Sequence, residues 1–283
     1  MNPSLTTGTD GTTEVRRWIR QGWEEAATEY AQDRLGIFER SGKRLLELVR
    51  PLPGSQLLDV GTGAGAVALQ APDWIGAQGQ VTGSDVAQAM VELARQSAAE
   101  RGMDGVTFCR MDGEQLEFPD ASFDTVTCAF SLFQFLDMSR ALAEMWRVLK
   151  PGGRLGLSNW GPGFFSPVAS LQRDLFREFG LRPLLTNPIS LRADRLETML
   201  RRAGFTAVEL LEESDEVWFE DPAEVWAFNL DMGPFPIMLR QQLTDAQRRE
   251  LERRFASSLH DLMTDRGIRC TFHLLYALAE KGR

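Results

Sequence analysis

The apolar positions of this chain divide it into a regular first half and a less regular second half. Short apolar runs predict five strands, at 56–60, 80–86, 106–111, 122–130 and 153–160. Stretches with the three-and-four spacing of a helix lie between most of them. Strands that alternate with helices in this way are typical of a mostly parallel, doubly wound sheet. We therefore predict an α/β fold built on such a sheet.

Beyond residue 162 the pattern predicts more helix, at 167–179, 192–203 and most of 222–268, together with two further strands. Those strands, 206–219 and 270–281, make the predicted sheet seven-stranded. The expected segments are a disordered tail, an N-terminal helical arm, a core, a cap of helices that contains one sheet strand, and a final strand. We place them at 1–14, 15–40, 41–162, 163–268 and 269–283.

Composition and charge argue against several classes of function. The 283 residues carry 31 Lys plus Arg against 40 Asp plus Glu, a net charge of −9, so no basic surface for nucleic acid is expected. No apolar run approaches the roughly 18 residues that cross a bilayer, and the N-terminal sequence does not have the pattern of a signal peptide. Three scattered cysteines and two histidines show no metal-ligand spacing, and unpaired thiols favour the cytoplasm.

A glycine-rich segment, Asp59-Val60-Gly61-Thr62-Gly63-Ala64-Gly65, follows the first predicted strand, and a helix is expected from about Val67. Glycine lets a ligand approach the backbone closely, and the N–H groups that begin a helix face such a ligand. With Ala66 the segment also satisfies the relaxed dinucleotide fingerprint. Asp85, at the end of the second predicted strand, suits a ribose hydroxyl in either case. The loop alone therefore predicts a nucleoside-containing cofactor without choosing between them.

Acidic residues near three strand ends favour one class of cofactor. Asp59 stands two places before the first glycine, Asp85 ends the second predicted strand, and Asp112 follows the third. A pyrophosphate would make the charge of Asp59 unfavourable, whereas an ammonium group would be stabilised by it. Asp112 suits an adenine amino group as hydrogen-bond acceptor. The three carboxylates together favour a cationic nucleoside that carries an amino acid, which describes S-adenosylmethionine (SAM).

At these positions the chain resembles the class I SAM-dependent methyltransferases, and more narrowly the methyltransferases of ubiquinone and menaquinone biosynthesis and their small-molecule relatives. Four segments carry the resemblance in the family's order, within about residues 45–160. They are LLDVGTGAG, GSDVAQAMVELAR, MDGEQLEFPDASFDTVTCAF and VLKPGGRLGLSNW. Beyond residue 165 the likeness is one of architecture only, and that architecture implies that the last strand, 270–281, runs antiparallel.

The resemblance implies particular roles in holding the cofactor. Gly61 and Gly63 would hold the methionine portion, with Asp59 near its ammonium group. Asp85 would bind the ribose hydroxyls, and Asp112 the adenine amino group. Val86 and Met90 would wall the adenine, with Gly113 beside Asp112. Gly65 belongs to the glycine loop, Ser131 would line the donor–acceptor junction, and Tyr30 belongs to the aromatic segment that covers SAM.

Large apolar residues next to turns predict an apolar pocket for the methyl acceptor, although most of those in the second half are expected to fill the cap's own core. Apolar loops over the carboxyl edge of the sheet would form such a pocket. The predicted lining is Trp23, Phe133, Trp160, Phe164, Phe165, Met232 and Phe235. The amphipathic stretch 251–263 is open to an alternative role as a homodimer contact.

No base stands out in the sequence. Relatives often carry a histidine soon after the fourth strand, where this chain reads Ser131-Leu132-Phe133-Gln134. The remaining candidates for a base are His273 in the last predicted strand, His260 in the long second-half helix, and a cap carboxylate such as Asp231.

The sequence therefore predicts a SAM-dependent methyltransferase that moves a methyl group by in-line displacement to an N, O or C nucleophile of a small, largely apolar or aromatic acceptor. Two alternatives stay open. An NAD(P)-dependent oxidoreductase would use the same loop, but Asp59, Asp112 and the LKPGG segment would then be coincidences, and neither tyrosine has a Tyr-x-x-x-Lys spacing. The other alternative is a catalytically silent SAM-binding partner protein.

Overall fold

Eight strands form one sheet in a computed structural model that describes residues 9–33, 35–181, 188–231 and 242–283. Their order across the sheet is β3-β2-β1-β4-β5-β8-β6, and the two-residue β7 pairs with β8. Strands β1 to β5 run parallel to one another, whereas β8 runs antiparallel to both β5 and β6. The strands are β1 (Gln56–Val60), β2 (Gln80–Asp85), β3 (Val106–Arg110), β4 (Phe123–Ala129), β5 (Leu149–Trp160), β6 (Phe205–Phe219), β7 (Met263–Thr264) and β8 (Gly267–Lys281). The predicted α/β sheet with an antiparallel last strand is confirmed.

Helices cover both faces of this sheet. They are α1 (Thr9–Tyr30), α2 (Ile37–Val49), α3 (Pro72–Ile75), α4 (Gln88–Glu100), α5 (Met138–Val148), α6 (Val168–Glu178), α7 (Ala193–Arg202), α8 (Pro222–Asp231) and α9 (Asp245–Ser258), with 3-10 turns at Leu132–Gln134 and His260–Leu262. None of these described helices combines the length and the apolar character that a bilayer crossing requires.

Several boundaries differ from those expected. Helix α1 begins at Thr9, so the segment predicted as a tail is helical from there, and residues 1–8 lie outside the described ones. Residues 63–71 form turns, and the helix expected from Val67 is the four-residue α3. Asp137 caps α5 by accepting a hydrogen bond from the Arg140 N–H.

The core lies on both faces of the sheet because the central strands are buried on both sides. Successive residues of β1 show this alternation, since Leu57 belongs to the cluster that packs on α2 and Leu58 to the one that packs on α5. Both side chains are fully buried. This sandwich leaves only the carboxyl ends of the strands free to form a site.

Candidate active site

A cleft of about 760 Å³ lies at the carboxyl ends of β1 to β4, beneath helix α1. Every residue predicted to bind the cofactor lines this cleft, except Asp59 and Gly65. Those two line a second cleft of about 1090 Å³ behind the glycine loop, which shares Tyr30, Gly61 and Phe130 with the first. The parallel sheet thus brings residues from four separate strand ends to one place.

The glycine loop leaves room in the first cleft because two of its residues have no side chain. Gly61 and Gly63 have φ values of 68° and 55°, a left-handed conformation that glycine adopts readily. A Cβ atom on Gly61 would collide with the hydroxyl of Ser131, which itself donates a 2.9 Å hydrogen bond to the Gly61 carbonyl. A Cβ atom on Gly63 would lie 3.5 Å from the ring of Tyr30. The backbone is therefore the surface that a ligand would meet here.

Asp85 joins the end of β2 to the glycine loop. Its two carboxylate oxygens accept hydrogen bonds from the Gly63 N–H at 2.9 Å and the Ala87 N–H at 3.0 Å. Burial raises the pKa of Asp85, and these two backbone N–H groups act in the opposite direction. Each carboxylate oxygen still has a lone pair to offer. Asp85 can therefore hold the loop and accept from a hydroxyl group of a ligand at the same time.

Asp59 lies beneath the loop and is 1% exposed. It accepts hydrogen bonds from the hydroxyls of Thr62 at 2.7 Å and Thr127 at 2.8 Å. Burial raises the pKa of Asp59 to about 6, against an ordinary value of 3.8. A cation that reached this carboxylate from the second cleft would stabilise its charged form.

Asp112 is already paired in this structure. One of its oxygens accepts a 2.7 Å hydrogen bond from Arg16 of helix α1, and the other accepts from the Glu114 N–H at 2.9 Å. Arg16 also pairs with the buried carboxylate of Glu114, which in turn accepts from the Leu136 N–H. Helix α1 is thus fastened to the edge of the cleft by an ion-pair network.

A second contact fastens the same helix beside Asp85. Both carboxylate oxygens of Glu24 accept from the first turn of α4, at 2.8 Å from the Gln88 N–H and 2.7 Å from the Ala89 N–H. The N-cap residue of α4, Ala87, supplies no side-chain hydrogen bond, so Glu24 provides the cap from another helix. Helix α1 is therefore joined through Glu24 to the segment that follows Asp85.

The predicted acceptor pocket is placed differently by the structure. Trp23 lines the first cleft, but Phe133, Trp160 and Phe165 are buried in the core, and Phe164 stacks on Trp160 with ring centroids 4.3 Å apart. Met232 and Phe235 lie outside the described residues. Besides Val86 and Met90, the other apolar residues lining the cleft are Ile19, Met111, Phe130, Phe135 and Leu136.

The candidate bases lie away from the cleft lining. His273 Nδ1 is 3.0 Å from the hydroxyl of Ser214 on β6, and His260 is exposed in its 3-10 turn. Asp231 ends α8, and its side chain is not among those described. Apolar positions of the stretch 251–263, such as Leu251 and Phe255, are buried within the chain. The homodimer contact through this stretch stays a prediction.

Sequence reasoning missed Arg16, Glu24 and Gln134. Arg16 lies three residues before Ile19 and seven before Trp23, so the three side chains share one face of helix α1. All three line the cleft. Periodicity was therefore a usable signal for Arg16. The partners of Glu24 lie 64 and 65 residues away, and no local pattern indicates them.

Comparison with known proteins connects this geometry to a family. Residues 34–160 match the model of the ubiE/COQ5 methyltransferase family. Nocamycin O-methyltransferase of Saccharothrix syringae is 42% identical over 161 residues, which are 54% of this chain and 54% of that protein. The ubiquinone/menaquinone biosynthesis C-methyltransferase UbiE of Idiomarina loihiensis is 31% identical over 175 residues, or 55% of this chain and 68% of that protein.

Among solved structures, the YcgJ protein of Bacillus subtilis has a TM-score of 0.62 and covers 86% of this chain and 99% of its own. Its sequence identity is 21%, so this likeness concerns the fold alone. The chain spans about half the length of several curated relatives that it matches, 54% of the nocamycin enzyme for example. The shared part is the half that carries the glycine loop and the strand-end carboxylates.

Proposed function

The chain belongs to the ubiE/COQ5 family of SAM-dependent methyltransferases, and we propose that it transfers a methyl group from SAM to a nitrogen, oxygen or carbon atom of a small apolar or aromatic acceptor. The observation that carries this proposal is the cleft beneath α1. There the backbone of Gly61 and Gly63 meets the carboxylates of Asp85 and Asp112 in one space. Family membership does not support the alternatives of a nicotinamide-dependent oxidoreductase or a silent binding protein.

The residues of the cleft fit SAM in chemical type. Gly61 and Gly63 line the cleft without side chains, so the loop would present bare backbone to the methionine portion. Asp85 would accept from the ribose hydroxyls and Asp112 from the adenine amino group, while Asp59 would face the ammonium group from the second cleft. When bound, SAM supplies a methyl group activated on a sulfonium centre.

Alignment and exclusion of water are the main tasks left to the protein. Helix α1 covers the cleft with Trp23 and Tyr30, whose rings meet edge to face with centroids 5.2 Å apart. A cleft closed in this way holds the acceptor in line with the methyl group and removes competing water, and effective molarities from such alignment reach about 10⁵ M or more. The described residues that line the cleft include the carboxylates of Asp85, Asp112 and Glu114 and no histidine.

The class of acceptor follows from the apolar wall and from the relatives. Met111, Phe130, Phe135 and Leu136 offer apolar surface beside the polar strand ends. One relative is named as an O-methyltransferase and another as a C-methyltransferase, so the family accommodates both oxygen and carbon nucleophiles. We therefore extend the proposal to aromatic acceptors such as phenols and hydroquinones, with a cytoplasmic location favoured by the three free cysteines.

Calorimetric titration tests the proposal. Purified protein is titrated with S-adenosylhomocysteine (SAH), NADH and NADPH in separate runs, and SAM turnover to SAH is then followed with a panel of phenols and hydroquinones. We expect SAH alone to bind and at least one aromatic acceptor to raise turnover. Binding of a nicotinamide cofactor without SAH would contradict the proposed class, and SAH binding without turnover on any acceptor would indicate a silent binding protein.

A further inference from the structure

Gln134 places a buried polar atom in the cleft that no protein group satisfies. Its side-chain oxygen, Oε1, is buried and receives no hydrogen bond. The residue ends the 3-10 turn Leu132–Gln134, and its backbone N–H donates to the Ser131 carbonyl at 2.9 Å, so the turn itself is well formed. An unpaired buried acceptor is unfavourable, which makes it a natural contact for a ligand with a donor group.

The charged side chains that line the cleft, and the hydroxyl of Ser131, have partners within the protein. Asp85 accepts from two backbone N–H groups, Asp112 and Glu114 share Arg16, and Ser131 donates to Gly61. Buried side-chain oxygens without a partner also occur among the described residues at Ser55, Ser84, Ser158 and Asn159, but those residues do not line the cleft. Among the described residues that line the cleft, Gln134 alone carries a buried side-chain oxygen without a hydrogen-bond partner.

The donor groups of SAM are already matched by carboxylates. Its amino group on the adenine, its ribose hydroxyls and its ammonium group have Asp112, Asp85 and Asp59 as acceptors in the proposed function. This leaves the Gln134 oxygen for the second substrate. Its turn begins directly after Ser131, whose hydroxyl touches the glycine loop, so Gln134 lies between the loop and the apolar residues Phe135 and Leu136.

We propose that Gln134 Oε1 accepts a hydrogen bond from a hydroxyl or N–H group of the methyl acceptor, and so selects acceptors that carry such a donor. This inference rests on the proposed methyltransferase function. An amide does not take up a proton near neutral pH, so Gln134 orients the acceptor and is not its base. Acceptors that lack a donor would leave the buried oxygen unpaired and would be rejected for that reason.

A matched pair of probes tests this directly. 1-Naphthol and 1-methoxynaphthalene share a ring system, but only the first carries a hydroxyl donor. Their affinities are measured by calorimetry on SAH-saturated wild-type protein and on Gln134→Met, which keeps the length of the side chain and removes the amide. Gln96→Met serves as a control variant because Gln96 is an exposed glutamine on α4.

We expect wild type and Gln96→Met to prefer 1-naphthol by about five- to tenfold, and Gln134→Met to lose that preference with its SAH affinity and melting temperature unchanged. Three results would overturn the proposal. They are a preference that survives in Gln134→Met, a weakened SAH affinity in that variant with the preference intact, and equal or no affinity of wild type for the two probes. Absence of SAH binding by wild type would instead contradict the proposed function itself.

Discussion

Two groups of aromatic rings in this molecule have opposite roles. Tyr30 and Phe130 border the cleft, whereas Phe165, Phe219 and Phe272 are at most 1% exposed and lie in the core of the second half. In that second group the ring of Phe165 is 5.2 Å from Phe272 and 5.9 Å from Phe219, so each ring fills the space beside another. Apolar residues near turns therefore do not indicate by themselves whether a pocket or a solid core will form.

What keeps the cleft open is the chemistry of its other wall. Opposite the rings lie the side-chain-free Gly61 and Gly63 and the carboxylates of Asp85 and Asp112. Glycines leave volume unfilled, and carboxylates do not pack into an apolar interior without partners. In the second half, Phe165 packs against both Phe219 and Phe272, and all three rings are fully buried.

The largest expected effect separates these two groups of rings. Phe272→Ala removes a fully buried ring and should lower the free energy of unfolding by about 3–5 kcal/mol, while SAH affinity stays unchanged. Phe135→Ala removes a half-buried ring that lines the cleft, so it should cost less stability and weaken the binding of aromatic acceptors. Urea unfolding and SAH titration of both variants check this. Similar losses of stability in the two would contradict the distinction.

The buried carboxylate beneath the cleft should also have an effect on stability, with a defined sign. The pKa of Asp59 is raised to about 6 in the folded state from an ordinary 3.8, so protonation of Asp59 stabilises the folded state relative to the unfolded one. The wild type should therefore lose about 3 kcal/mol of unfolding free energy, relative to Asp59→Asn, as pH rises from about 4 through 6. Urea unfolding of both proteins across that range measures the difference. A constant difference would show that Asp59 titrates normally.

The glycine loop gives the next prediction, because the chain offers a matched control. Gly61 and Gly54 both have positive φ, 68° and 78°, but a Cβ atom collides with Ser131 at Gly61 and meets nothing within 4 Å at Gly54. Gly61→Ala should reduce SAH affinity by about a hundredfold, near 2.7 kcal/mol, whereas Gly54→Ala should leave it unchanged. Titration of both with SAH decides, and equal affinities would refute the assigned role of the loop.

The smallest effect concerns the fastening of helix α1 over the cleft. Arg16 is about one third exposed, so its pairs with Asp112 and Glu114 are partly screened by solvent. Arg16→Met should speed amide hydrogen exchange over residues 15–30 by about fivefold, as expected for losing an interaction near 1 kcal/mol. Arg17→Met is the control, since Arg17 is an exposed neighbour on the same helix. The same rate in both variants would argue against a fastening role.

The first half of the chain was predictable because its signals are local and repeat. Alternating strands and helices fixed the parallel sheet, and a parallel sheet necessarily brings Gly61, Asp85 and Asp112 to one edge. The helix expected from Val67 is confined to Pro72–Ile75, since the exact ends of a helix depend on geometry that propensity does not specify.

The rest of the site depends on contacts between distant parts of the chain. Glu24 caps a helix more than sixty residues away. Gln134 is of interest because its buried side-chain oxygen has no hydrogen-bond partner, and no sequence pattern indicates that. Phe133, Trp160 and Phe165 were expected in a pocket because they flank turns, but whether such rings face a space depends on what packs opposite them. Those questions are settled by tertiary packing and not by periodicity.

A crystal structure of the protein with SAH bound tests the central claim most directly. The account predicts the adenosine portion in the cleft beneath α1, with the ribose on Asp85, the adenine amino group on Asp112, and the Gly61 backbone against the methionine portion. SAH bound outside that cleft, or inside it without contacts to Asp85 and the glycine loop, would contradict the account.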